Sequence, residues 1–397
     1  MQPLKGLTVV TLEHAIAAPF ATRQLADLGA RVIKIERPGV GDFARGYDQR
    51  VRGLASHFVW TNRSKESLTL DVKQPRAAEL LLRLITAKAD VVVQNLAPGA
   101  AARLGISHDA LKTGRPDLIV CDISGYGDDA QSPGPYRDKK AYDLLIQSES
   151  GFVSVTGTPD EPSKAGISIA DIAAGMYAYS SILAALLQRQ RDGLGRRIDI
   201  SMLEAMTEWM GFPLYYAIDG AAPPPRAGAA HATIYPYGPF PTGDGQTVML
   251  GLQNEREWLQ FCDRVLGQPA LAKDARYAGN AQRTANRAAL RELIVQAFAG
   301  LTLAQVTERL EQAQIASARV NDMAGLWSHP QLAARSRWRE VASPAGPLPA
   351  LLPPGSWADG DPVLNPIPAL GQHTNAILAE LGVDAAEIAA LRAAEAI

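Results

Sequence analysis

Cysteine is scarce in this chain of 397 residues. The two cysteines, Cys121 and Cys262, cannot build a disulfide framework or a four-ligand structural zinc site. The six histidines do not fall into H-x-x-x-H or another spacing with which proteins hold a metal ion. The shortage of thiols therefore predicts a reducing, cytoplasmic compartment, and no metal is expected.

An excess of one charge and a long apolar run are also missing. The 39 Lys and Arg residues nearly balance the 41 Asp and Glu residues, whereas a dedicated nucleic-acid binder carries a strongly basic surface. No run of about 18 apolar residues occurs, so no membrane span is expected. Glu13 and His14 interrupt the apolar stretch near the N-terminus, which is typical of a strand rather than a signal peptide. We expect an enzyme or binding protein with neither a nucleic-acid nor a membrane partner.

The first 200 residues alternate strand and helix patterns. Residues 7–13 and 31–36 are apolar runs typical of buried strands, and residues 17–28 between them have helical periodicity that ends at Gly29. Such a β-α-β unit implies parallel strands with a right-handed crossover. Further strands and helices are predicted at residues 75–88, 90–94, 98–104, 118–124, 171–191 and 197–200. The whole pattern predicts an α/β fold with a doubly wound sheet.

The pattern changes near residue 220. The run GAAPPP at residues 220–225 has the composition of a linker. Beyond it, hairpin-like segments at 233–241 and 247–252 are joined by a Gly-Asp-Gly turn. Helical stretches follow at 256–266, 287–298 and 303–313, and a Pro-rich tail ends in a helix pair at 373–381 and 385–394. We expect a second domain of about 100 residues here.

Two clusters of basic residues are candidate anion sites. Residues 31–52 hold six basic and three acidic side chains, an excess that suits a phosphate-bearing ligand beyond a strand end. Charge alone, however, favours a solvated loop face. Lys139 and Lys140 precede Ala141-Tyr142-Asp143, but most such clusters are surface ion pairs worth under about 1 kcal/mol. The turn at residues 14–19 lacks G-x-G-x-x-G and no G-x-S-x-G occurs, so neither usual dinucleotide binding nor a serine-hydrolase elbow is supported.

Asp171 stands at the predicted start of a long helix. The commonest use of aspartate at such a position is as the N-cap, and the sequence alone favours that interpretation. The functional alternative is a carboxylate nucleophile whose charge the helix amides stabilise. The next residues, Ala173, Ala174 and Gly175, are small enough to let a bulky ligand approach. Both interpretations stay open on these residues alone.

The opening segment LKGLTVVTLEHAIAAPFATRQLADLGARVIKIERPGVGDFAR resembles the start of the family III CoA-transferases. Other blocks keep the order and approximate spacing of that family, which also includes α-methylacyl-CoA racemase. They are NRSKESLTLDVK (62–73), DVVVQNLAPGAAARLG (90–105), ISGYG (123–127), KKAYDLLIQSESG (139–151), DIAAGMYAYSSILAALLQR (171–189) and GRRIDISMLEA (195–205). HATIYPYGPF (231–240) and GLQNEREW (251–258) continue the match more loosely.

The resemblance implies an architecture. It implies an interlocked homodimer in which each subunit has a Rossmann-like, doubly wound large domain and a smaller α+β domain. Residues 1–220 would form the N-terminal part of the large CoA-binding domain and residues 226–325 the small domain. Residues 326–397 would return to complete the large domain.

The resemblance also implies site residues. Asp171 matches the catalytic aspartate of the family. Residues matching CoA contacts are Ile16, Ala17, Arg37, Leu70, Lys73, Asn95, Arg103 and Lys140. Residues matching positions near the acyl group or substrate are His14, Tyr47, Tyr142 and Asp143. Coenzyme A is implied as part of a thioester substrate, acyl-CoA and carboxylic acids are the implied partners, and no tightly bound cofactor is expected.

Tyr142 bears on the type of reaction. Racemases of the family resemble a G-H-D pattern where this chain has Ala141-Tyr142-Asp143. Shuttling a proton α to a thioester needs two acid/base groups, and tyrosine, with an ordinary pKa of about 10, is a poor base. The resemblance therefore favours a transferase that works through an aspartyl-CoA intermediate. A racemase and a non-catalytic CoA-binding protein are the alternatives.

The substrates are also suggested by the resemblance. The blocks at 231–240 and 251–258 are most similar to members that handle short dicarboxylates, such as succinate, mesaconate, citramalate or malate. A second carboxylate on the substrate needs a cation. Arg45, Arg50 or Arg52 could supply it.

Overall fold

A parallel sheet of six strands is the largest sheet in the computed structural model, which describes residues 2–129, 131–355 and 362–397. Its strands are β1 (Thr8–Leu12), β2 (Arg31–Glu36), β3 (Lys65–Thr69), β4 (Val91–Gln94), β5 (Ile119–Ser124) and β6 (Arg197–Ser201). Their order is β3-β2-β1-β4-β5-β6, and each neighbouring pair is parallel. Ligands of such folds bind beyond the carboxyl ends of the strands, where the order reverses, which here is between β1 and β4. The predicted α/β class with a large parallel sheet is confirmed.

Burial along the strands explains their apolar sequences. All four residues of β4 are buried, and so are the adjacent pairs Val9–Val10 on β1 and Val32–Ile33 on β2. Adjacent residues of a strand face opposite sides of the sheet. Both faces of the sheet are therefore covered, which is why its strands are continuous apolar runs rather than alternating ones.

Eighteen α-helices lie in the described part of the chain, with short 3₁₀ and π turns between them. In chain order they are α1 (Ala17–Asp27), α2 (Ser56–Thr61), α3 (Pro75–Lys88), α4 (Ala100–Arg103), α5 (His108–Leu111), α6 (Asp143–Glu149), α7 (Phe152–Val155), α8 (Ile169–Asp192), α9 (Met202–Trp209), α10 (Gly211–Tyr216), α11 (Glu255–Gln260), α12 (Asn280–Ala285), α13 (Arg287–Phe298), α14 (Leu303–Gln312), α15 (Met323–Trp327), α16 (Pro330–Ala334), α17 (Thr374–Glu380) and α18 (Ala385–Ala393). Helices α3 and α13 have the predicted bounds.

Two compact units divide the chain. The first contains the described residues of Met1–Ser150, Ala165–Met210 and Leu332–Ile397, and with them the parallel sheet. The second contains Gly151–Lys164 and Gly211–Gln331. The domain boundaries expected at residues 220, 226 and 325 stay predictions.

The second unit has its own sheet and core. Strands β7 (Tyr237–Pro241), β8 (Thr247–Gly251) and β9 (Ala316–Arg319) form an antiparallel sheet in that order. The first strand begins later than the predicted residue 233, because the His231 ring accepts hydrogen bonds from the backbone N–H groups of Thr233 and Ile234. The core beneath the sheet contains Trp258 and Phe298, both almost fully buried. The Gly-Asp-Gly turn in the sequence indicated the hairpin, but nothing in the sequence indicated β9.

The C-terminal segment covers the edge of the parallel sheet. Thr69 on edge strand β3 donates its backbone N–H to Thr374 Oγ1 at 3.0 Å, and Ser67 donates its own to His373 Nδ1 at 3.1 Å. Leu378 of α17 and Leu391 of α18 belong to the same apolar core as the sheet. A covered edge has no free backbone groups to pair with another strand. Strands β10 (Trp338–Val341) and β11 (Leu348–Leu351), which the sequence analysis did not predict, form a hairpin in this return.

Helix α8 meets the length and hydropathy criteria of a membrane-spanning segment, although the sequence analysis expected no such segment. Among the described residues it is the one unbroken helix that does so, and α13 with α14 passes only as a pair bent by 109°. Ala170, Ala174 and Ala178 of α8 are fully buried, and the helix packs against α1, β5 and β6. A long core helix has this composition too, because its surroundings are apolar on several sides.

Candidate active site

The turn between β1 and α1 is held by side chains from two other segments. The His14 backbone N–H donates to Asn95 Oδ1 at 2.9 Å, and Asn95 Nδ2 donates to the His14 carbonyl at 2.9 Å. The Ala15 N–H donates to Asp42 Oδ1 at 3.2 Å, and Ala15 has a φ of 61°, which non-glycine residues seldom adopt. These bonds fix the chain that leads into Ala17. Asn95 reaches the turn because it follows β4, the neighbour of β1 in the sheet.

A buried ionic cluster lies behind this turn. The Lys34 ammonium is 2.7 Å from Asp42 Oδ2 and 3.3 Å from Glu13 Oε1, and Lys65 Nζ is 2.6 Å from Glu13 Oε1. All four side chains are almost completely buried. Burial opposes the charge of Asp42, yet Lys34 and hydrogen bonds outweigh it and hold the pKa of that carboxyl well below its usual range. Burial lowers the pKa of Lys65 to about 7, although Glu13 opposes the shift.

Asp171 lies inside the first turn of α8 rather than at its cap. The helix begins at Ile169 with Ser168 as N-cap, so the favoured interpretation of Asp171 as an N-cap is wrong. Gly175, one turn later on the same face, is in close contact with α1, since a Cβ there would lie 2.7 Å from the Ala17 carbonyl oxygen. This close approach brings the start of α1 near Asp171, so that the Ala17 N–H lowers the pKa of the Asp171 carboxyl in part.

The surroundings of Asp171 favour its protonated form more than water does. Burial raises the pKa of Asp171 to about 7, with a further contribution from the negative charge of Asp143, and the hydrogen bond from Ala17 opposes the rise only in part. A carboxylate that is costly to ionise is a stronger base than a solvated aspartate. Strongly shifted carboxyls of this kind are typical of catalytic sites.

The residues matched to the acyl group have different surroundings. Burial raises the pKa of Tyr47 to about 12, and the charges of Asp42 and Asp171 contribute. The Tyr142 ring is 68% exposed. His14 stacks on Phe43 with ring centroids 4.9 Å apart. Asp143 instead accepts hydrogen bonds from two backbone N–H groups at the start of α8 and from the side chain of Gln147 on its own helix, α6.

Most residues matched to CoA contacts lie at the carboxyl edge of the sheet. Arg37 follows β2, Lys73 comes after β3, and Arg103 ends α4 after β4; the three strands are close in the order β3-β2-β1-β4. These three side chains and that of Lys140 are exposed. Ile16, Ala17 and Leu70, by contrast, have buried side chains, so they can offer a ligand mainly backbone atoms.

The three arginines considered for a distal carboxylate differ in availability. Arg45 forms two 2.8 Å hydrogen bonds to the Glu36 carboxylate and lies over the Phe58 ring. Arg52 donates to the Pro347 carbonyl at 2.8 Å. The side chain of Arg50 is exposed and makes no hydrogen bond or ion pair with the described residues. Arg50 is the most available of the three.

The buried cluster was not recognised from the sequence, although a signal was present. Lys34 and Glu36 interrupt the apolar strand RVIKIE, and charged side chains inside a buried strand need partners. The partners Glu13 and Lys65 are distant in sequence, so pairing could not be deduced. Among the described residues, no group of His, Cys, Asp and Glu side chains is arranged to hold a metal ion.

Comparison with known proteins identifies the family. The model for CoA-transferase family III matches residues 4–374. The chain belongs to CoA-transferase family III. As a member of this family it is an enzyme, a CoA-transferase whose substrates include CoA thioesters.

Relatives of this CoA-transferase match it along nearly their whole length. The succinate–glutarate CoA-transferase of Agrobacterium fabrum is 34% identical over 96% of both chains. The succinyl-CoA–D-citramalate CoA-transferase of Chloroflexus aurantiacus is 31% identical over 99% of this chain and 97% of its own. The crystal structure of a CAIB/BAIF family protein from Brucella suis is 34% identical, with a TM-score of 0.83, over 96% of this chain and 99% of that one.

Proposed function

We propose that this enzyme moves CoA from a short dicarboxylyl-CoA to a second short carboxylic acid, with Asp171 as a covalent carrier. One observation carries the proposal: the partly buried Asp171 carboxylate lies in the first turn of α8, close enough to the turn at the carboxyl end of β1 that the Ala17 N–H lowers its pKa in part. That edge of the sheet is where doubly wound folds bind ligands. The carboxylate therefore lies where a bound thioester would be.

The chemistry proceeds by exchange between carboxylates and a thiolate. A carboxylate oxygen of Asp171 attacks the thioester carbonyl, the C–S bond breaks, and a mixed anhydride and CoA thiolate result. The thiolate then attacks the Asp171 carbonyl carbon, which releases the donor acid and leaves an aspartyl-CoA thioester. The acceptor carboxylate attacks this thioester, and the same two steps run in reverse. Each step conserves the activated acyl bond, so no nucleoside triphosphate is consumed.

Helix termini provide the electrostatic part of the mechanism. Backbone N–H groups at the start of a helix point at developing negative charge and stabilise an oxyanion. The Ala17 N–H at the start of α1 lies close enough to Asp171 to lower its pKa in part, whereas Asp143 occupies the Ala170 and Asp171 N–H groups of α8. Water must be excluded while the anhydride and thioester exist, since both hydrolyse.

Coenzyme A is held by cations and a fixed turn in this proposal. Arg37, Lys73, Arg103 and Lys140 are exposed and free to contact phosphate oxygens. Asn95 contributes by fixing the turn, so that Ile16 and Ala17 present their backbone to the ligand. His14, Tyr47 and Tyr142 line the acyl side of Asp171. CoA enters and leaves as part of a substrate, and no resident cofactor has a role.

The dicarboxylate substrates follow from the relatives, which are named for succinate, glutarate and D-citramalate. We assign the distal carboxylate to Arg50, since among Arg45, Arg50 and Arg52 it is the one whose exposed side chain makes no hydrogen bond or ion pair with the described residues. The test is to incubate the enzyme with succinyl-CoA and a panel of mono- and dicarboxylic acids and to identify new thioesters by mass. Transfer to dicarboxylates, reduced in Arg50→Gln but not in Arg52→Gln, is the expected result. A preference for monocarboxylates would contradict the substrate assignment.

The carrier role of Asp171 is tested with two variants on one helix. Asp171→Asn should abolish CoA exchange and the adduct that borohydride reduces or hydroxylamine traps, while CoA binding persists. Asp192→Asn changes an exposed aspartate at the other end of α8 and should behave as the wild type. Turnover by Asp171→Asn at the wild-type rate would remove Asp171 from the role. Solvent deuterium entering C2 of a 2-methylacyl-CoA without an acceptor acid would instead identify a racemase.

The quaternary structure in this proposal is an interlocked homodimer with domains at residues 1–220, 226–325 and 326–397. Exposed apolar side chains of the second unit support it. They are concentrated on and just after α10, namely Phe212, Leu214, Tyr215, Tyr216 and Ile218. A contiguous apolar surface of this kind is typical of an interface.

The proposed location of the enzyme is the cytoplasm. The buried free thiols of Cys121 and Cys262 fit a cytoplasmic enzyme.

A further inference from the structure

Helix α8 begins without a cap of its own. The first N–H groups of a helix lack partners within it, and the N-cap side chain usually accepts from the second or third of them. Ser168, at the N-cap position, makes no such side-chain hydrogen bond. The second and third N–H groups, those of Ala170 and Asp171, donate to Asp143 Oδ1 at 2.8 and 3.4 Å instead. Asp143, the first residue of α6, thus caps α8 from another helix.

A second side chain of α6 reinforces this cap. Asp143 Oδ2 accepts a 2.7 Å hydrogen bond from Gln147 Nε2, and Gln147 Oε1 accepts from the Ala165 N–H at 2.9 Å. Gln147 is fully buried. Both oxygens of Asp143 therefore accept N–H donors, as an ionised carboxylate does. The start of α8, and Asp171 within its first turn, is fastened to α6 by these bonds.

The same contact places a negative charge beside Asp171. The groups that act on Asp171 are the Asp143 carboxylate from α6 and the Ala17 N–H from α1. Tyr47 and Tyr142 are the titratable neighbours on the acyl side. Of these, the Asp143 carboxylate contributes the negative charge that raises the pKa of Asp171, and a charge of this sign makes a neighbouring carboxylate more basic. No cation is among the groups that shift Asp171.

We propose that Asp143 is the positioning residue of this enzyme: it caps α8 so that the Asp171 carboxylate faces the thioester, and its charge keeps that carboxylate more nucleophilic than a solvated aspartate. This inference rests on the proposed carrier role of Asp171. Asp143 itself touches no reacting atom, because N–H donors occupy its oxygens. Its geometric and electrostatic contributions can be separated, since asparagine retains an acceptor oxygen and loses the charge.

The experiment measures kcat/KM for CoA exchange against pH in the wild type, Asp143→Asn, Asp143→Glu and Asp143→Ala. In the wild type kcat/KM should rise with pH through about 7, because the pKa of Asp171 is raised to about 7. Asp143→Asn should move this acidic limb down by about one pH unit and lower the plateau, because a less basic carboxylate attacks more slowly. Asp143→Ala, which loses the cap as well, should lose about 100-fold or more, because the nucleophile is misplaced. Asp143→Glu keeps the charge and should leave the limb near its wild-type position.

The controls decide between the possible failures. Asp138→Asn removes an exposed carboxylate five positions earlier and should leave both rate and limb unchanged. If the acidic limb of kcat/KM in Asp143→Asn lies at the same pH as in the wild type, the proposal is overturned, whatever the rate of the variant. A cap with only a structural role would leave the position of this limb unchanged. If Asp143→Asn does not fold, the comparison of Asp143→Glu with Asp143→Ala replaces it. An acidic limb that is displaced equally in these two variants would also overturn the proposal. Absence of a trapped adduct in the wild type would refute the carrier role of Asp171 itself, a separate result.

Discussion

At the scale of single residues, two aspartates of the site have opposite environments. Asp42 is held ionised by Lys34 and by the amides of Ala15 and Ala44, so its pKa lies below the usual range. Burial and the negative charge of Asp143 raise the pKa of Asp171, and the Ala17 amide opposes this rise only in part. The ionised Asp42 carboxylate stabilises the folded state, whereas ionising Asp171 destabilises it. The difference lies entirely in neighbours that are distant in sequence.

Neutralising the Asp171 carboxyl should stabilise the protein. The pKa of Asp171 is raised to about 7 in the folded state, so the folded state loses stability as pH rises from about 4 to 7. Asp171→Asn removes this loss and should be more stable than the wild type by on the order of 1–2 kcal/mol at pH 8, a value reduced for solvent screening, with little difference near pH 4.5. Thermal unfolding at the two pH values measures the effect. A lower Tm of the variant at pH 8 would contradict it.

Breaking the buried cluster should have the opposite effect. Asp42→Asn leaves the fully buried Lys34 with Glu13 as its remaining carboxylate at 3.3 Å, and an uncompensated buried charge costs about 3–5 kcal/mol. Because the pKa of Asp42 is lowered, its stabilisation is present above about pH 4 and is lost as pH falls further. Urea unfolding at pH 7 measures the change. The control is Asp109→Asn, which breaks the exposed ion pair with Lys112 and should lower the free energy of unfolding by under about 1 kcal/mol. Equal losses of stability in both variants would contradict the stabilising role of the buried cluster.

At the scale of secondary-structure elements, the site depends on how closely α1 approaches α8. Small side chains on α8 permit the contact, and Gly175 is the narrowest point. The same face carries Asp171 one turn earlier, so the distance between the helices also sets how near the Ala17 N–H lies to Asp171. In the proposed mechanism, packing and catalysis are therefore coupled through one glycine.

A methyl group at position 175 should separate the helices. In Gly175→Ala the new Cβ would lie 2.7 Å from the Ala17 carbonyl oxygen and 3.0 Å from the Phe20 ring. Overpacking of this kind costs about 1–3 kcal/mol, and displacement of Ala17 should lower kcat by about tenfold or more. Gly300→Ala meets no atom within 4 Å and serves as control. Wild-type kcat in Gly175→Ala would show that the contact is not needed for catalysis.

At the scale of the whole molecule, the exposed apolar segment at residues 212–218 is the feature that an isolated chain does not explain. Exposing large apolar side chains to water costs free energy at about 25 cal/mol per Å² of apolar surface. Tyr215 is 78% exposed, more than any other large apolar side chain of the described residues. A second copy of the chain is the occupant that the proposed homodimer provides.

The proposed interlocked dimer makes a prediction about subunit exchange. Threaded subunits cannot separate without opening their folds, so differently tagged dimers should form mixed dimers only after unfolding and refolding together. Sedimentation should give twice the chain mass, and Tm should rise with protein concentration. Tyr215→Lys should weaken the dimer, whereas Leu351→Lys, at an exposed site in the first unit, should not. Mixed dimers under native conditions would refute the interlocking, and a monomer would refute the dimer itself.

Local patterns in the sequence determined much of the fold. Residues 31–36 and 75–88 have the bounds predicted for them, because apolar period and end signals such as Pro75 act within the segment itself. The Gly-Asp-Gly turn indicated the hairpin of β7 and β8 for the same reason. The matching blocks indicated the family, since their order and spacing survive in the linear chain.

Tertiary structure alone decided how the site works. Helix α8 begins two residues before the predicted Asp171 because its cap, Asp143, comes from another helix. Asn95 accepts a hydrogen bond from the backbone of His14, 81 residues away in the sequence. Lys34 and Lys65 both form ion pairs with Glu13. Strand β9 pairs with a strand far earlier in the chain. Hydrogen bonds and Coulomb forces act through space, so a linear pattern shows which residues carry charge but not which charges meet.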